Sequence, residues 1–593
     1  MIAQRIDMLR SLMKDRHLDA YLIPSSDYHA SEYIGDYFQT RRYMSGFTGS
    51  YGTLVVTSTE AGLWTDGRYF IQAKNELAHT PIRLFPINED GIPTIEEYLL
   101  TKLPENGVLG FDGKVLQTSL GKSLRMALKN KKITFDEKED IVDLFWEDRP
   151  ALSCQPAFAL EIAYSGQTRT TKIQELRKQL DKQQADAFLL TDLAEINWLM
   201  NLRGGDIPCN LLVLSFAIIT TTECLLFIQP KALPENLKQQ LQKDNIQLHP
   251  YEEIYSFISN LDKNLRICFD PDSTNYFIFQ LLQSHPYRET VSPILLAKAK
   301  KNTTELDNFR LAHQKDAIAV TKFMYWLKQS IGKIELDELS AAKKIEQFRQ
   351  EQADYLSPSF ETISAYGEHG AICHYSASEQ SNIPIQNHGL FLVDSGGHYL
   401  QGTTDITRTF VCGKLTDEQK KHFTFVVSAM LRLLFTQFLY GCSGINLDIL
   451  AREIFWKNSL NFNHGTGHGV GYLLNVHESP NFIGMRSRKG IDWIWEEGMI
   501  TSNEPGLYFE GKYGIRIENL MVCRKAEKNE FGQFMRFECL CYVPIDLDGI
   551  DVQYMNAEDR ERLNFYHQEV YKRLLPDLPK EMHDWLKYYT RTI

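Results

Sequence analysis

His464-Gly465-Thr466-Gly467-His468-Gly469-Val470-Gly471 decides what kind of domain the second half of this chain builds. Two histidines four residues apart have the spacing of a metal-binding helix. Four glycines in the run oppose that helix, each costing about 1 kcal/mol against alanine, and the glutamate that should follow His464 is missing. The run therefore reads as a loop or strand whose backbone can approach a neighbour closely. Around it, from Gly389 to Cys523, short strands alternate with glycine turns, as in Gly389 to Asp394, Thr403 to Val411 and Ile515 to Val522. That pattern predicts an α+β domain.

Upstream, the basic linker Lys298-Ala299-Lys300-Lys301 leads to Asn302, with Glu305 three residues later in the spacing of a capping box. Leu306, Phe309, Ala317, Val320, Met324 and Leu327 then mark one face of a long helix. Further upstream the chain repeats itself. Ile6, Leu9, Arg10 and Met13, followed by Leu18 to Ile23, recur 167 residues later as Ile173, Leu176, Arg177 and Leu180, followed by Ala185 to Leu190. Each copy opens with an amphipathic helix and a buried strand. An aromatic stretch with glycine follows in both, Tyr43 to Phe47 and Trp198 to Gly204. Two duplicated α/β domains are expected, with boundaries at 1–160 and 161–300. The third domain spans 301–593 and includes a polar, aromatic appendage with helical spacing over about 545–593.

Size and composition agree with several packed cores. The 593 residues exceed what one core usually supports, and 43% apolar with 24% charged residues is ordinary globular usage. A net charge of -12 supplies no basic field for nucleic acid or an anionic membrane. Ten scattered cysteines, with Cys539 and Cys541 the only close pair, fit neither a disulfide framework nor a CxxC zinc site and read as reduced thiols. Met1 to Asp7 has no apolar signal core, and Leu211 to Ile219 is about half of the roughly 20 residues that span a bilayer. A soluble, cytoplasmic protein is expected.

Eight of the 16 histidines fall between His369 and His477. Within or just beyond that span lie Asp394 and Asp405, then Glu504 and Glu518, each pair brought close by a strand-turn-strand. An aspartate at a strand end is most often a turn or cap residue, so no member carries the case alone. Together, four carboxylates and one imidazole suit Mn²⁺, Co²⁺, Fe²⁺ or Zn²⁺ better than Ca²⁺ or Mg²⁺. A pair of ions would balance four negative charges sharing one cavity.

Five segments carry a resemblance. Asp394-Ser395-Gly396-Gly397, Thr404 to Thr409, His464 to Gly471, Ser502-Asn503-Glu504-Pro505-Gly506 and Gly514 to Asn519 resemble, in type and order, the ligand segments of the pita-bread metallopeptidases. The duplicated N-terminal part, Trp64 to Tyr69 and the C-terminal appendage make the chain most similar to the long, three-domain cytosolic group of Xaa-Pro aminopeptidases, with creatinase-like N-terminal domains. The resemblance implies Asp394 on one ion, His468 and Glu504 on the other, and Asp405 and Glu518 bridging both, with manganese the metal most implied. Two ions about 3.5 Å apart would lower the pKa of a bridging water and polarise the scissile carbonyl. Glu504 is then the general base and proton shuttle. His374, His464 and His477 match substrate-side histidines, His477 for the carbonyl oxygen and the others for the proline side, and Arg516 would orient a ligand carboxylate. A homodimer is also implied, with Trp493 and Trp495 available to an interface or to a core. Arg68 resembles a position near the cleft, although a lone arginine is more often an ion-pair partner.

An Xaa-Pro bond is a tertiary amide with no N–H, so it escapes proteases that grip that donor. The implied activity is release of the N-terminal residue from peptides with proline second. A prolidase acting on Xaa-Pro dipeptides is the nearest alternative, although prolidases usually have one N-terminal domain. Creatinase-like amidinohydrolases lack the carboxylate set, and a non-catalytic module binding peptides or histones would have lost ligands.

Overall fold

The computed structural model describes residues 1–487 and 493–593. The chain forms two compact units, one of Met1–Ile162 with Gln167–Leu295 and one of Ala163–Gly166 with Leu296–Ile593.

The first unit holds the repeat. One six-stranded sheet runs in the order Arg83–Pro86, Ala61–Thr65, Thr53–Thr57, Ala20–Pro24, Val108–Gly110, Thr134–Asp136, and the second in the order Gln247–His249, Cys224–Ile228, Ser215–Thr220, Ala187–Leu190, Ile267–Phe269, Tyr287–Glu289. Parallel and antiparallel pairings match strand for strand. The opening helices, Ile2–Asp15 and Arg169–Gln183, bury the residues their spacing predicts: Ile6, Leu9 and Met13 in one, Ile173, Leu176 and Leu180 in the other. Each such side chain contributes about 1.5–3 kcal/mol by leaving water. The copies meet where Gln117 and Asn275 pair, flanked by Thr118 N–H to Thr274 O (2.9 Å) and Tyr276 N–H to Leu116 O (2.7 Å). Each of the two paired residues is the N-cap of a helix, so the contact joins equivalent points of the two copies.

In the second unit, helix Thr303–Ser330 starts with the expected capping box, the Asn302 side chain accepting from Glu305 N–H and the Glu305 side chain accepting from Asn302 N–H, both at 3.0 Å. Its predicted apolar face is buried. Three antiparallel strands, Ile363–Tyr366, Leu390–Ser395 and Ile406–Val411, form one sheet. A six-stranded sheet has the order Gln437–Leu439, Gly532–Cys539, Asn519–Asn529, Ile500–Asn503, Gly467–Gly469, Glu478–Ile483. The helix Asp417–Leu434, buried from His422 to Leu431, and the helix Gly444–Trp456 complete the α+β arrangement. The C-terminal segment contributes helices Ala557–Leu574 and His583–Tyr589.

Two predicted strands are broken in the structure. Thr403 to Val411 is split into Gly402–Thr403 and Ile406–Val411, and Ile515 to Val522 into the ends of Tyr513–Arg516 and Asn519–Asn529. The breaks fall at Asp405 and Glu518. At the second, Glu518 N–H leaves the hairpin ladder and donates to Thr407 O (3.1 Å), so the chain passes from the hairpin Gly506–Phe509/Tyr513–Arg516 into the six-stranded sheet. Alternation of side chains cannot show such a switch. Among the described residues no helix is long and apolar enough to cross a membrane, and all ten cysteines are free thiols.

Candidate active site

The glycine-histidine run becomes the short strand Gly467–Gly469, wedged between Ile500–Asn503 and Glu478–Ile483. A side chain at Gly467 would collide with the Ser502 carbonyl, and one at Gly469 with the Glu478 carbonyl. That close approach explains the glycines, and it leaves His468 the one large side chain of the strand.

Register delivers the carboxylates. Asp394 pairs with Thr407 across Leu390–Ser395 and Ile406–Val411, and Asp405 lies one residue before the latter strand. Asn503 pairs with Asn519, which sets Glu504 and Glu518 at the adjoining ends of their strands. The two sheets are joined by Thr407 Oγ1, which donates to Glu518 Oε2 (2.7 Å), and by the fully buried Arg408, which donates to Glu518 O (2.6 Å). Alternate residues of the Thr404 to Thr409 segment thus face one seam: Asp405, Thr407, and Thr409, whose hydroxyl donates to Arg516 O (2.9 Å).

Asp405, His468 and Glu518 each place one ligand atom within 4.8 Å of the others. His468 Nε2 lies 3.5 Å from both Asp405 Oδ2 and Glu504 Oε1. Asp394 is drawn toward Arg516, whose Nη2 donates to Asp394 Oδ2 at 2.6 Å. Burial pushes all four carboxyls up. Asp405 reaches about 6, although His477 and Arg516 pull it down. Asp394 is raised by burial against the pull of Arg516, and Glu504 by burial against His468 and Arg516. Glu518 is held well above its ordinary value, by burial and then by Asp405, Asp394 and Glu504. Four acids facing one guanidinium and the His468 and His477 imidazoles carry more negative charge than this cavity compensates. Asp394 Oδ1 and Glu518 Oε1 are moreover buried acceptors with no hydrogen-bond donor. Oxygen-rich donors, one imidazole and unmatched negative charge fit divalent cations.

The other expected residues lie around this cluster. The His477 ring is 4.3 Å from that of His468, edge to face. His464 Nε2 bonds Tyr508 Oη (2.8 Å) and its Nδ1 faces Gly465 O (2.7 Å). His374 is half-buried and follows Cys373, whose carbonyl accepts from Arg516 Nη2 at 3.4 Å. Of the eight clustered histidines, others serve the fold: His398 bonds Thr403 Oγ1 (3.0 Å), His369 bonds Glu338 (2.9 Å), and His422 stacks on Phe509. Trp495 is buried against Phe537 and belongs to the core rather than to an exposed face of this chain, while Trp493 is half-buried. Arg68 pairs with Asp66 (2.8 Å) and Glu32 (3.1 Å).

Two residues escaped sequence reading. Tyr508 accepts from Arg516 Nη1 (2.7 Å) while bonding His464, so it links that histidine to the arginine on Asp394. Its only signal is even spacing from Glu504 along one strand direction. Arg452 donates to Asp448 Oδ2 (2.6 Å), to Phe462 O (2.8 Å) and to His464 O (2.9 Å), and Asp448 Oδ1 accepts from Thr466 Oγ1 (2.5 Å). Helix Gly444–Trp456 thereby clamps the segment that presents His464 and His468, through carbonyls that no motif reveals.

Known proteins share this arrangement along the whole chain. Residues 307–525 match metallopeptidase family M24, residues 5–143 and 148–305 the creatinase/prolidase N-terminal domain, and residues 533–593 the C-terminal region of peptidase M24. A probable Xaa-Pro aminopeptidase P from Laccaria bicolor is 36% identical over 98% of this chain and 92% of its own length. Xaa-Pro aminopeptidase 1 of Dictyostelium discoideum is 35% identical over 99% and 96%. The crystal structure of X-prolyl aminopeptidase from Caenorhabditis elegans, described as a cytosolic enzyme with a di-nuclear active site, superposes with a TM-score of 0.96 at 35% identity and covers 100% of both chains. The Xaa-Pro dipeptidase from Bacillus anthracis shares the fold at a TM-score of 0.51 and 23% identity, covering 64% of this chain and 99% of its own. This chain belongs to metallopeptidase family M24, in its Xaa-Pro aminopeptidase branch.

Proposed function

We propose that the chain is a metal-dependent Xaa-Pro aminopeptidase that hydrolyses the bond between the first residue of a peptide and a proline in second position. The observation that carries this reading is the convergence of His468 with three buried carboxylates, Asp394, Asp405 and Glu518, and the partly buried Glu504, within a chain related over its full length to Xaa-Pro aminopeptidases. Asp394 would hold one ion, His468 and Glu504 a second, and Asp405 and Glu518 both. Bound there, two divalent cations, with manganese as the proposed metal, would supply Lewis acidity for a carbonyl and for water.

The remaining chemistry belongs to the chain's own side chains. Glu504 takes a proton from the attacking water and passes it to the departing proline nitrogen. His477 donates to the scissile carbonyl oxygen as it gains charge. His374 and His464 line the proline side, with His464 fixed by Tyr508 and Arg516. Arg516 holds Asp394 in place. None of these groups needs the missing N–H of a prolyl amide.

A cytoplasmic homodimer with working domains 1–160, 161–300 and 301–593 completes the proposal; the cytosolic description of the nematode enzyme supports the location. The dipeptidase match leaves about a third of this chain uncovered, which favours the aminopeptidase over the prolidase reading. Purified protein supplied with Mn²⁺ is expected to release the first residue from Xaa-Pro-Yaa tripeptides. Cleavage of Xaa-Pro dipeptides alone would indicate a prolidase. No turnover and no bound metal after addition of Mn²⁺ or Co²⁺ would leave a peptide-binding module.

A further inference from the structure

The basic run Lys298-Ala299-Lys300-Lys301 reads as a linker, yet only Lys300 of its three lysines is exposed. Lys298 and Lys301 are buried, and both turn toward Glu478, which is buried as well. Lys301 Nζ donates to Glu478 Oε2 and to Lys298 O (2.8 Å), and Lys298 Nζ stands 3.4 Å from Glu478 Oε1. Two ammoniums thus share one carboxylate inside the second unit. Attraction within such a group roughly offsets its desolvation, so the triad fixes geometry more than it adds stability.

What it fixes is the residue after His477. Glu478 opens the strand Glu478–Ile483 and pairs with Gly469, the neighbour of His468. Residues 470–477 form the loop that leaves one histidine and returns with the other, and it brings the His477 ring to 4.3 Å from that of His468. This loop is strained. Leu473 is fully buried with a φ of 51°, in the left-handed region where a side chain crowds the backbone. Strain of this kind persists only where the surroundings over-determine the conformation. Leu473 N–H donates to Thr403 Oγ1 (3.1 Å), Tyr472 Oη donates to Leu400 O (3.3 Å), and the outgoing end is held at His468, whose N–H donates to Ser502 Oγ (2.9 Å). The returning end is held by the Glu478 carboxylate. The main chain of the lysines is in turn set against the residues that lead into the strand Ile500–Asn503: Lys301 N–H donates to Gly498 O (3.1 Å), Lys300 bridges Met499, and a side chain at Gly498 would collide with Lys301 O. The anchor is therefore referenced to the sheet that carries His468 and ends at Glu504.

We propose, as a step that rests on the peptidase reading, that Lys301 together with Lys298 is a positioning residue for His477. By holding Glu478, the two ammoniums keep the strained loop closed and the His477 ring where it meets the scissile carbonyl oxygen.

The uneven charge count makes a test practicable. Lys301→Met leaves one ammonium on one carboxylate, so the fold is expected to survive, while the closer of the two contacts to Glu478 is lost. Assayed on an Xaa-Pro-Yaa tripeptide with Mn²⁺, Lys301→Met should lower kcat about 10- to 100-fold, the cost of a misplacement of roughly 1 Å. KM should change less than about threefold, with bound metal retained. In a His477→Gln background the same substitution should lower kcat less than about twofold, because the residue it positions is already gone. Glu478→Gln keeps the size of the side chain and should repeat both results; it decides the matter if Lys301→Met does not fold. Unchanged kcat in the folded variants, an equal loss with and without His477, or loss of folding in both variants would overturn the proposal. A wild type that binds Mn²⁺ and cleaves no Xaa-Pro-Yaa peptide would overturn the peptidase reading itself, and the role of Lys301 with it.

Discussion

Two sets of carboxylates in the second unit are compensated differently. At Asp316, Asp448 and Asp559 each acid has its own arginine: Arg349 Nε at 2.7 Å, Arg452 Nε at 2.6 Å and Arg432 Nη2 at 2.7 Å. Hydroxyls finish the job at the first two, from Tyr399 (2.9 Å) and Thr466 (2.5 Å). At Asp394, Asp405, Glu504 and Glu518, four acids share Arg516, His468 and His477. A matched pair repays its own desolvation by its geometry. The cluster does not, so the structure keeps it only because the surrounding sheets hold the side chains together. Pairwise burial is the pattern of a fold, and collective, unmatched burial is the pattern of a site for cations.

The largest expected effect separates chemistry from folding. Glu504→Gln removes the proposed proton carrier while preserving size, and turnover on an Xaa-Pro-Yaa tripeptide should fall about 100- to 10,000-fold. Metal content measured in parallel should show at least one ion retained, with an unchanged circular dichroism spectrum. Unchanged turnover would remove Glu504 from its role.

The paired region should respond in the opposite sense. Arg349→Met strands Asp316 in the core, and denaturant unfolding should show a loss of about 3–5 kcal/mol. The folded fraction should still cleave substrate normally. A loss much below 1 kcal/mol would mean that Tyr399 alone satisfies the acid, and the contrast between pair and cluster would lose its force.

Removing one acid from the cluster should instead help the chelated protein. Glu518 has three carboxylate neighbours and a donorless Oε1, so Glu518→Gln relieves repulsion on the order of 1–2 kcal/mol in protein stripped of metal. Added Mn²⁺ should reverse the ranking, because the wild type then gains more from the ion. If the wild type unfolds later than the variant even after chelation, the cluster is not under-compensated.

How much of this could be read from the sequence follows from the range of each interaction. Ile6, Leu9 and Met13 repeat as Ile173, Leu176 and Leu180 because a buried helix face imposes a local period. The Asn302/Glu305 capping box is readable because both partners lie within one turn. The order of acids and histidine is readable because the acids stand at or beside strand ends and His468 lies between two glycines. Tyr508, Arg452 and Arg408 were not, since an arginine that donates to distant carbonyls, as Arg408 does to Glu518 O and Val543 O, leaves no pattern in its neighbours.

The smallest expected effect tests whether an under-compensated acid outside the cluster behaves the same way. Asp112, in the first unit, is 8% exposed, and its pKa is pushed up to about 7 by burial and then by Asp140, against the Lys114 N–H bond and the charges of Lys114 and Arg149. A folded-state pKa above the unfolded one means that the folded chain binds the proton more tightly. The associated stability is therefore complete below about pH 4 and is lost as pH rises through about 7. Asparagine keeps an acceptor for Lys114 N–H and has no charge to bury. Asp112→Asn should thus unfold later than the wild type by on the order of 2 kcal/mol at pH 8, and the gap should close toward pH 4. Unlike the difference at Glu518, it should not respond to Mn²⁺, because a lone acid beside the Asp140–Arg149 pair (2.9 Å) offers no shared cavity for an ion. A gap that stays constant across this pH range would show that Asp112 does not titrate there, and a gap abolished by Mn²⁺ would erase the distinction between a strained acid and a metal site.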